Sequence, residues 1–93
     1  LGESAHGHAL AYCTLASALQ DKGDLPAAIE AYHEALRLNP NFAPAYANLG
    51  VALHDTGDLP GAIAAYRVAI DLDPTDPKVH SNLGIALREA GNV

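Results

Sequence analysis

Three observations predict an all-α chain built from stacked helix-turn-helix repeats. The first is a period: Ala28 and Ala62, Tyr32 and Tyr66, Ala35 and Ala69, and Pro40 and Pro74 are each 34 residues apart, and a fixed step of that size marks a solenoid in which each unit buries its apolar face against the next. The second is helical spacing of apolar residues inside each unit. The third is composition. Of the 49% hydrophobic residues most are Ala and Leu, with one Phe and no Trp, which suits closely packed helices better than a sheet.

The units follow from the register. Leu15, Leu49 and Leu83 keep the same step, as do Leu19, Leu53 and Leu87, and Gly23, Gly57 and Gly91. Two full units, residues 9–42 and 43–76, are followed by a half unit over 77–93. Residues 1–8 fall outside the register, and their Gly and small polar content predicts a flexible N-terminal tail.

Within the second unit, Tyr46, Leu49 and Leu53 form the stripe of a first helix, which Gly57 should end by taking the left-handed conformation. Asp58 then fits an N-cap, with Pro60 in the first turn where its missing N–H costs little. Leu59, Ile63, Tyr66 and Ile70 carry the second helix to about Leu72, and Pro74 stops it. Gly23-Asp24-Leu25-Pro26 and Asn39-Pro40-Asn41 repeat this grammar in the first unit. A last helix is expected from about Asp76 to Ala90. Gly50 and Gly84 sit in helix interiors, where Gly costs about 1 kcal/mol relative to Ala, so both are expected at close helix contacts, with Ala16 in the equivalent place.

Charge and length exclude several classes. A net charge of −6 with five Lys and Arg argues against nucleic acid, which needs clustered cations to release counterions. No window approaches eighteen consecutive apolar residues, so no membrane partner is expected. The lone Cys13 cannot staple the chain, a pattern compatible with a reducing compartment and so with the cytoplasm. Because the chain starts without Met and stops just past a turn signal, it is expected to be part of a longer protein.

The pattern Tyr46, Leu49-Gly50, Leu53, Gly57, Ala62, Tyr66, Ala69, Pro74 resembles the tetratricopeptide repeat, a 34-residue helix-turn-helix. Tyr12, Tyr46 and His80 hold that family's tryptophan place, and Tyr32 and Tyr66 its later aromatic place. Ala16 and His80 depart from the pattern at the two ends. The resemblance implies a right-handed superhelical solenoid whose first helices line a concave surface, and a protein-interaction module that binds an extended peptide or a partner helix there.

Read along that surface, the columns are Cys13, Ala47, Ser81; Thr14, Asn48, Asn82; Ser17, Val51, Ile85; Gln20, His54, Arg88; and Asp21, Asp55, Glu89. Asn48 and Asn82 each offer a donor and an acceptor, as a peptide backbone requires, and resemble the asparagine ladder of protein O-GlcNAc transferases. Thr14 breaks the ladder. The acidic column would favour Lys or Arg on a ligand, although a solvated helix face explains it as well. The expected contacts are Asn48 and Asn82, then Asp55, His54, Lys78 and Arg88. A carboxylate clamp of the co-chaperone type is not expected, since of its positions only Asn48 and Lys78 match.

Catalytic residues, cofactors and metals are not expected. Cys13 has only His6 and His8 near it in sequence, and His6-x-His8 lacks the further ligands of a tetrahedral site. Cys13 is expected to face solvent or the groove, His33 and His54 to be exposed, and His80 to be partly buried. Two alternatives come from other classes: a segment feeding substrate to a larger glycosyltransferase-like enzyme, and a structural or self-assembly spacer. The second draws on Leu83 and Leu87, which half a repeat leaves uncovered although burial of each is worth about 1.5–3 kcal/mol. A truncated array, a tolerated terminal cap, or association of two chains through this face would each account for them.

Overall fold

The structure is a computed structural model and describes residues 2–91. Leu1, Asn92 and Val93 lie outside them, and with them one end of the expected tail and of the expected half unit. Five helices follow one another: α1 (Gly2–Asp21), α2 (Leu25–Leu38), α3 (Ala43–Asp55), α4 (Leu59–Leu72) and α5 (Pro77–Gly91). Together they form a helical repeat solenoid, without a strand among the described residues.

The two helical hairpins close through the same local chemistry. Gly23 and Gly57 take φ of +85° and +89°, the left-handed region where a side chain would be strained. That turn lets the Asp24 and Asp58 amides donate to the Leu19 and Leu53 carbonyls, each at 2.9 Å, satisfying acceptors that a helix end leaves bare. Each aspartate then caps the next helix: Asp24 Oδ1 accepts from Ala27 N at 3.4 Å and Asp58 Oδ1 from Gly61 N at 2.9 Å. Pro26 and Pro60 occupy the first turns of α2 and α4.

Neighbouring helices pack in sequence order, and the alternate helices α1, α3 and α5 also touch. Small residues make this possible, since Ala16, Ala28, Ala35, Ala45, Ala52 and Ala62 are fully buried. Two apolar clusters result, and the half-buried Tyr46 and Leu53 pack against both, joining the first hairpin to the rest. Tyr32 and Tyr66 fill the space between the helices of each hairpin, at 1% and 2% exposure. The Tyr32 hydroxyl donates to Gln20 Oε1 at 2.9 Å. Burial, with smaller contributions from Cys13 and Asp21, pushes its phenol up to about 12.

Several residues depart from expectation. Gly2–His8 belong to helix α1 where a tail was predicted; the His6 ring packs edge-on against Phe42, with centroids 5.3 Å apart, and its Nδ1 pairs with Asn39 Nδ2 at 3.1 Å. These contacts with the α2–α3 turn are made across 33 residues to Asn39 and 36 to Phe42, and they leave no mark on the local sequence. Gly50 fits the expected close contact, since a Cβ there would stand 2.5 Å from the Tyr66 ring. Gly84 does not. A Cβ at Gly84 would meet nothing within 4 Å, because no helix follows α5 among the described residues. Cys13 is on the expected groove side, in the lining between α1 and α3, but is buried there, and burial pushes its thiol up, away from the thiolate that reactivity needs. His80 is exposed rather than partly buried, because its Nε2 reaches the Pro74 carbonyl at 2.8 Å at the surface.

Candidate peptide-binding groove

The first helices of the repeats, α1, α3 and α5, carry three adjoining depressions. The central one has a volume of about 390 Å³ and lies between α3, α5 and the C-terminal end of α4. Its floor is apolar and low, made by Ala47, Val51, Ala69 and Val79, while Asp73, Asp76 and Lys78 stand among its polar lining. A second depression lies between α1 and α3, where Leu10, Thr14, Asp21 and Phe42 contribute. A third opens beside Pro77 and Ser81.

Asn48 lines both the second and the central depression, and Asn82 both the central and the third. The two amides thus stand where adjoining depressions share lining, one per repeat, as Pro44 and Lys78 also do. Helical register explains the placement, since residues 34 apart in a 34-residue repeat recur at the same face of equivalent helices. Thr14, at the same register in α1, donates its hydroxyl to the Leu10 carbonyl at 3.0 Å, so the donor of the first rung is committed to its own helix.

Of the expected contact residues, the groove gathers Asn48, Asn82 and Lys78. The other three lie elsewhere. His54 is half-buried rather than exposed, its Nε2 2.8 Å from Glu89 Oε2 and its Nδ1 3.9 Å from Asp55 Oδ1. Asp55 and Arg88 are exposed near the C-terminal ends of α3 and α5 and line none of the three depressions. The neighbouring column position Gln20 is turned toward Tyr32 instead. The acidic column is divided in the same way: Asp21 lines the groove, whereas Glu89 holds His54.

Sequence reasoning missed Asp73 and Asp76, which lie in the turn between α4 and α5. In the sequence Pro74 is the stop signal and Asp76 the start, and in the structure both aspartates serve the turn: Asp73 Oδ1 accepts from the Thr75 amide and hydroxyl at 3.1 and 2.6 Å, and Asp76 Oδ1 accepts from Lys78 N at 3.0 Å. The Thr75 hydrogen bonds hold the Asp73 carboxyl below the usual carboxylate range. The signal that was available is the Asp-Pro-Thr-Asp-Pro run itself, which brings two carboxylates into one turn three residues apart.

A family model described as tetratricopeptide repeat matches residues 13–77, well over half of the chain. The chain belongs to the tetratricopeptide repeat family. Two solved structures resemble it over nearly its whole length, titled "Crystal structure of MamA" and "Crystal structure of MamA protein". The first is 34% identical with a TM-score of 0.87, covering 89% of this tetratricopeptide repeat chain and 48% of its own. The second is 34% identical with a TM-score of 0.86, covering 89% and 45%. This chain therefore spans about half the length of the proteins it matches. No curated protein matches it.

Tetratricopeptide repeats are in general modules for protein interaction, typically scaffolds rather than enzymes. Among the described residues no group of three or more His, Cys, Asp or Glu is placed to hold a metal ion. Among the described residues no helix is long and apolar enough to cross a membrane.

Proposed function

We propose that this tetratricopeptide repeat segment is a receptor for an extended peptide, held by Asn48 and Asn82 in the groove along α1, α3 and α5. The observation that carries the reading is the position of the two amides where three adjoining depressions share lining. Each carboxamide accepts from a backbone N–H and donates to a backbone C=O, so the pair grips the main chain and the depressions between them receive side chains. Selection from a random dodecapeptide library tests this. Peptides recovered with the parent chain and lost with the Asn48→Ala/Asn82→Ala variant support the reading; peptides bound equally by both, or none recovered, reject it.

A second reading, association of two copies through α5, has a specific observation behind it. Leu87 and Ile85 are 42% and 44% exposed and Gly84 faces open space, whereas Leu83, expected to be uncovered with Leu87, is half-buried against the α4–α5 cluster because α4 already covers it. Sedimentation of the parent and of Ile85→Glu/Leu87→Glu tests it. A dimer in the parent that dissociates in a folded variant supports this reading, and a monomeric parent removes it.

A further inference from the structure

The central depression sets two carboxylates beside an apolar lining, where the depression between α1 and α3 has Asp21 alone. Ala47, Val51, Ala69 and Val79 line its apolar part, and Asp73 and Asp76 stand together at one side. Each of these carboxylates spends Oδ1 on the turn it caps, while Oδ2 of each has no protein partner among the described residues. Lys78, the one cation of this depression, forms no ion pair with them among the described residues and lines the next depression toward Pro77 as well. Across the whole groove, Asp21, Asp73 and Asp76 face a single ammonium.

A long aliphatic stem ending in a cation matches this lining, because Lys and Arg bury their methylenes on apolar surface and leave the charged head at a polar rim. Resting on the peptide-receptor reading above, we propose that the groove is selective for an extended peptide with one Lys or Arg seated in the central depression between Asn48 and Asn82. Its stem lies on Ala47, Val51 and Ala69, and its head meets Asp73 and Asp76. Lys78 opposes a second cation in the neighbouring depression, since like charges brought together discriminate against a partner. The recognised peptide is therefore basic at one position rather than basic throughout.

The same dodecapeptide selection decides this when the recovered sequences are aligned and three further variants are compared. Asp73→Asn/Asp76→Asn removes two charges and keeps the side-chain oxygens that cap the turn, since Asn is as good a cap as Asp. Glu30→Gln/Asp71→Asn removes two charges from exposed positions outside the groove, and Lys78→Gln removes the opposing cation. The expected result is at least a fivefold enrichment of Lys and Arg at one aligned position with the parent. The enrichment is lost in the turn variant, kept in the distant variant and extended to an adjacent position with Lys78→Gln. Peptides that depend on Asn48 and Asn82 but show no such position overturn the selectivity and leave the receptor reading standing. Equal loss of enrichment in the turn and distant variants overturns it too, as an effect of overall charge. Failure to recover any peptide removes both. Circular dichroism of each variant separates a lost preference from a lost fold.

Discussion

Gly50 and Gly84 occupy the same place in successive repeats, yet their surroundings are opposite. At Gly50 the ring of Tyr66 lies where a Cβ would be, while at Gly84 the equivalent space is empty. The difference is one helix. α3 is sandwiched between α2 and α4, whereas α5 packs on α4 and, among the described residues, has no successor. The same sequence letter therefore records a tight contact in one repeat and only the repeat's register in the next. The leucines agree, since Leu53 is half-buried and Leu87, its counterpart, is 42% exposed.

The strongest way to break the closed junction is to remove the aromatic ring that fills it. Tyr66→Ala is expected to cost about 3–5 kcal/mol, as large aromatic deletions in cores do, and for a small repeat domain that is comparable to total stability. Urea titration followed by circular dichroism should find the variant largely unfolded. A cost below about 1 kcal/mol would mean that the junction is not closed by this ring.

Next in size is the paired test of the two glycines. Gly50→Ala and Gly84→Ala gain the same helix propensity, about 1 kcal/mol, but only the first crowds a ring. Overpacking costs about 1–3 kcal/mol, so thermal melts should place Gly84→Ala above the parent and Gly50→Ala several degrees below Gly84→Ala. Equal melting temperatures would erase the contrast between the repeats. At the open end, Leu87→Ala is expected to cost under about 1 kcal/mol, because much of that side chain is already in water and surface changes are small.

A titration reads the closed junctions by another route. The buried phenol of Tyr32 is held up at about 12, and that of Tyr66 is also raised by burial, against about 10 in an unfolded chain. In that window the unfolded state has released protons that the native state retains. Stability is therefore full below about pH 10 and is lost as pH rises toward 12. Denaturant titrations at pH 9 and 11 should show the decline, and Tyr32→Phe should reduce it. The smallest effect concerns the His54–Glu89 contact between α3 and α5. Both partners are partly exposed, so Glu89→Gln should change stability by under about 1 kcal/mol, and less at high salt.

Much of this was legible because it is local or periodic. The turn at Gly57-Asp58-Leu59-Pro60 needs only residues within a few positions, and its glycine, cap and proline act as the sequence predicts. Asn48 and Asn82 line adjoining depressions because residues at a step of 34 recur on the same face of equivalent helices. What stayed hidden depends on contacts between distant segments. Nothing near His6 announces Asn39 and Phe42, and nothing near His54 announces Glu89, 35 residues away. Gln20 shares a column with His54 but turns inward to Tyr32. Asp73 and Asp76 were hidden for another reason: each has a sufficient local role, and a cap residue gives no sign of what lies on its far side.

The turn shared by the two hairpins limits how this molecule can change in length. Gly23 and Gly57 fix the direction in which each second helix leaves, and the groove exists only while Asn48 and Asn82 return to the same azimuth. One inserted residue rotates everything after it on a helix by about 100°, which would swing the amide column out of the groove. A whole 34-residue unit leaves the azimuth intact and adds one more position to the column of Thr14, Asn48 and Asn82. Length is thus quantised in this architecture, and a gene encoding it can lengthen or shorten the groove only in whole turns of its own pattern.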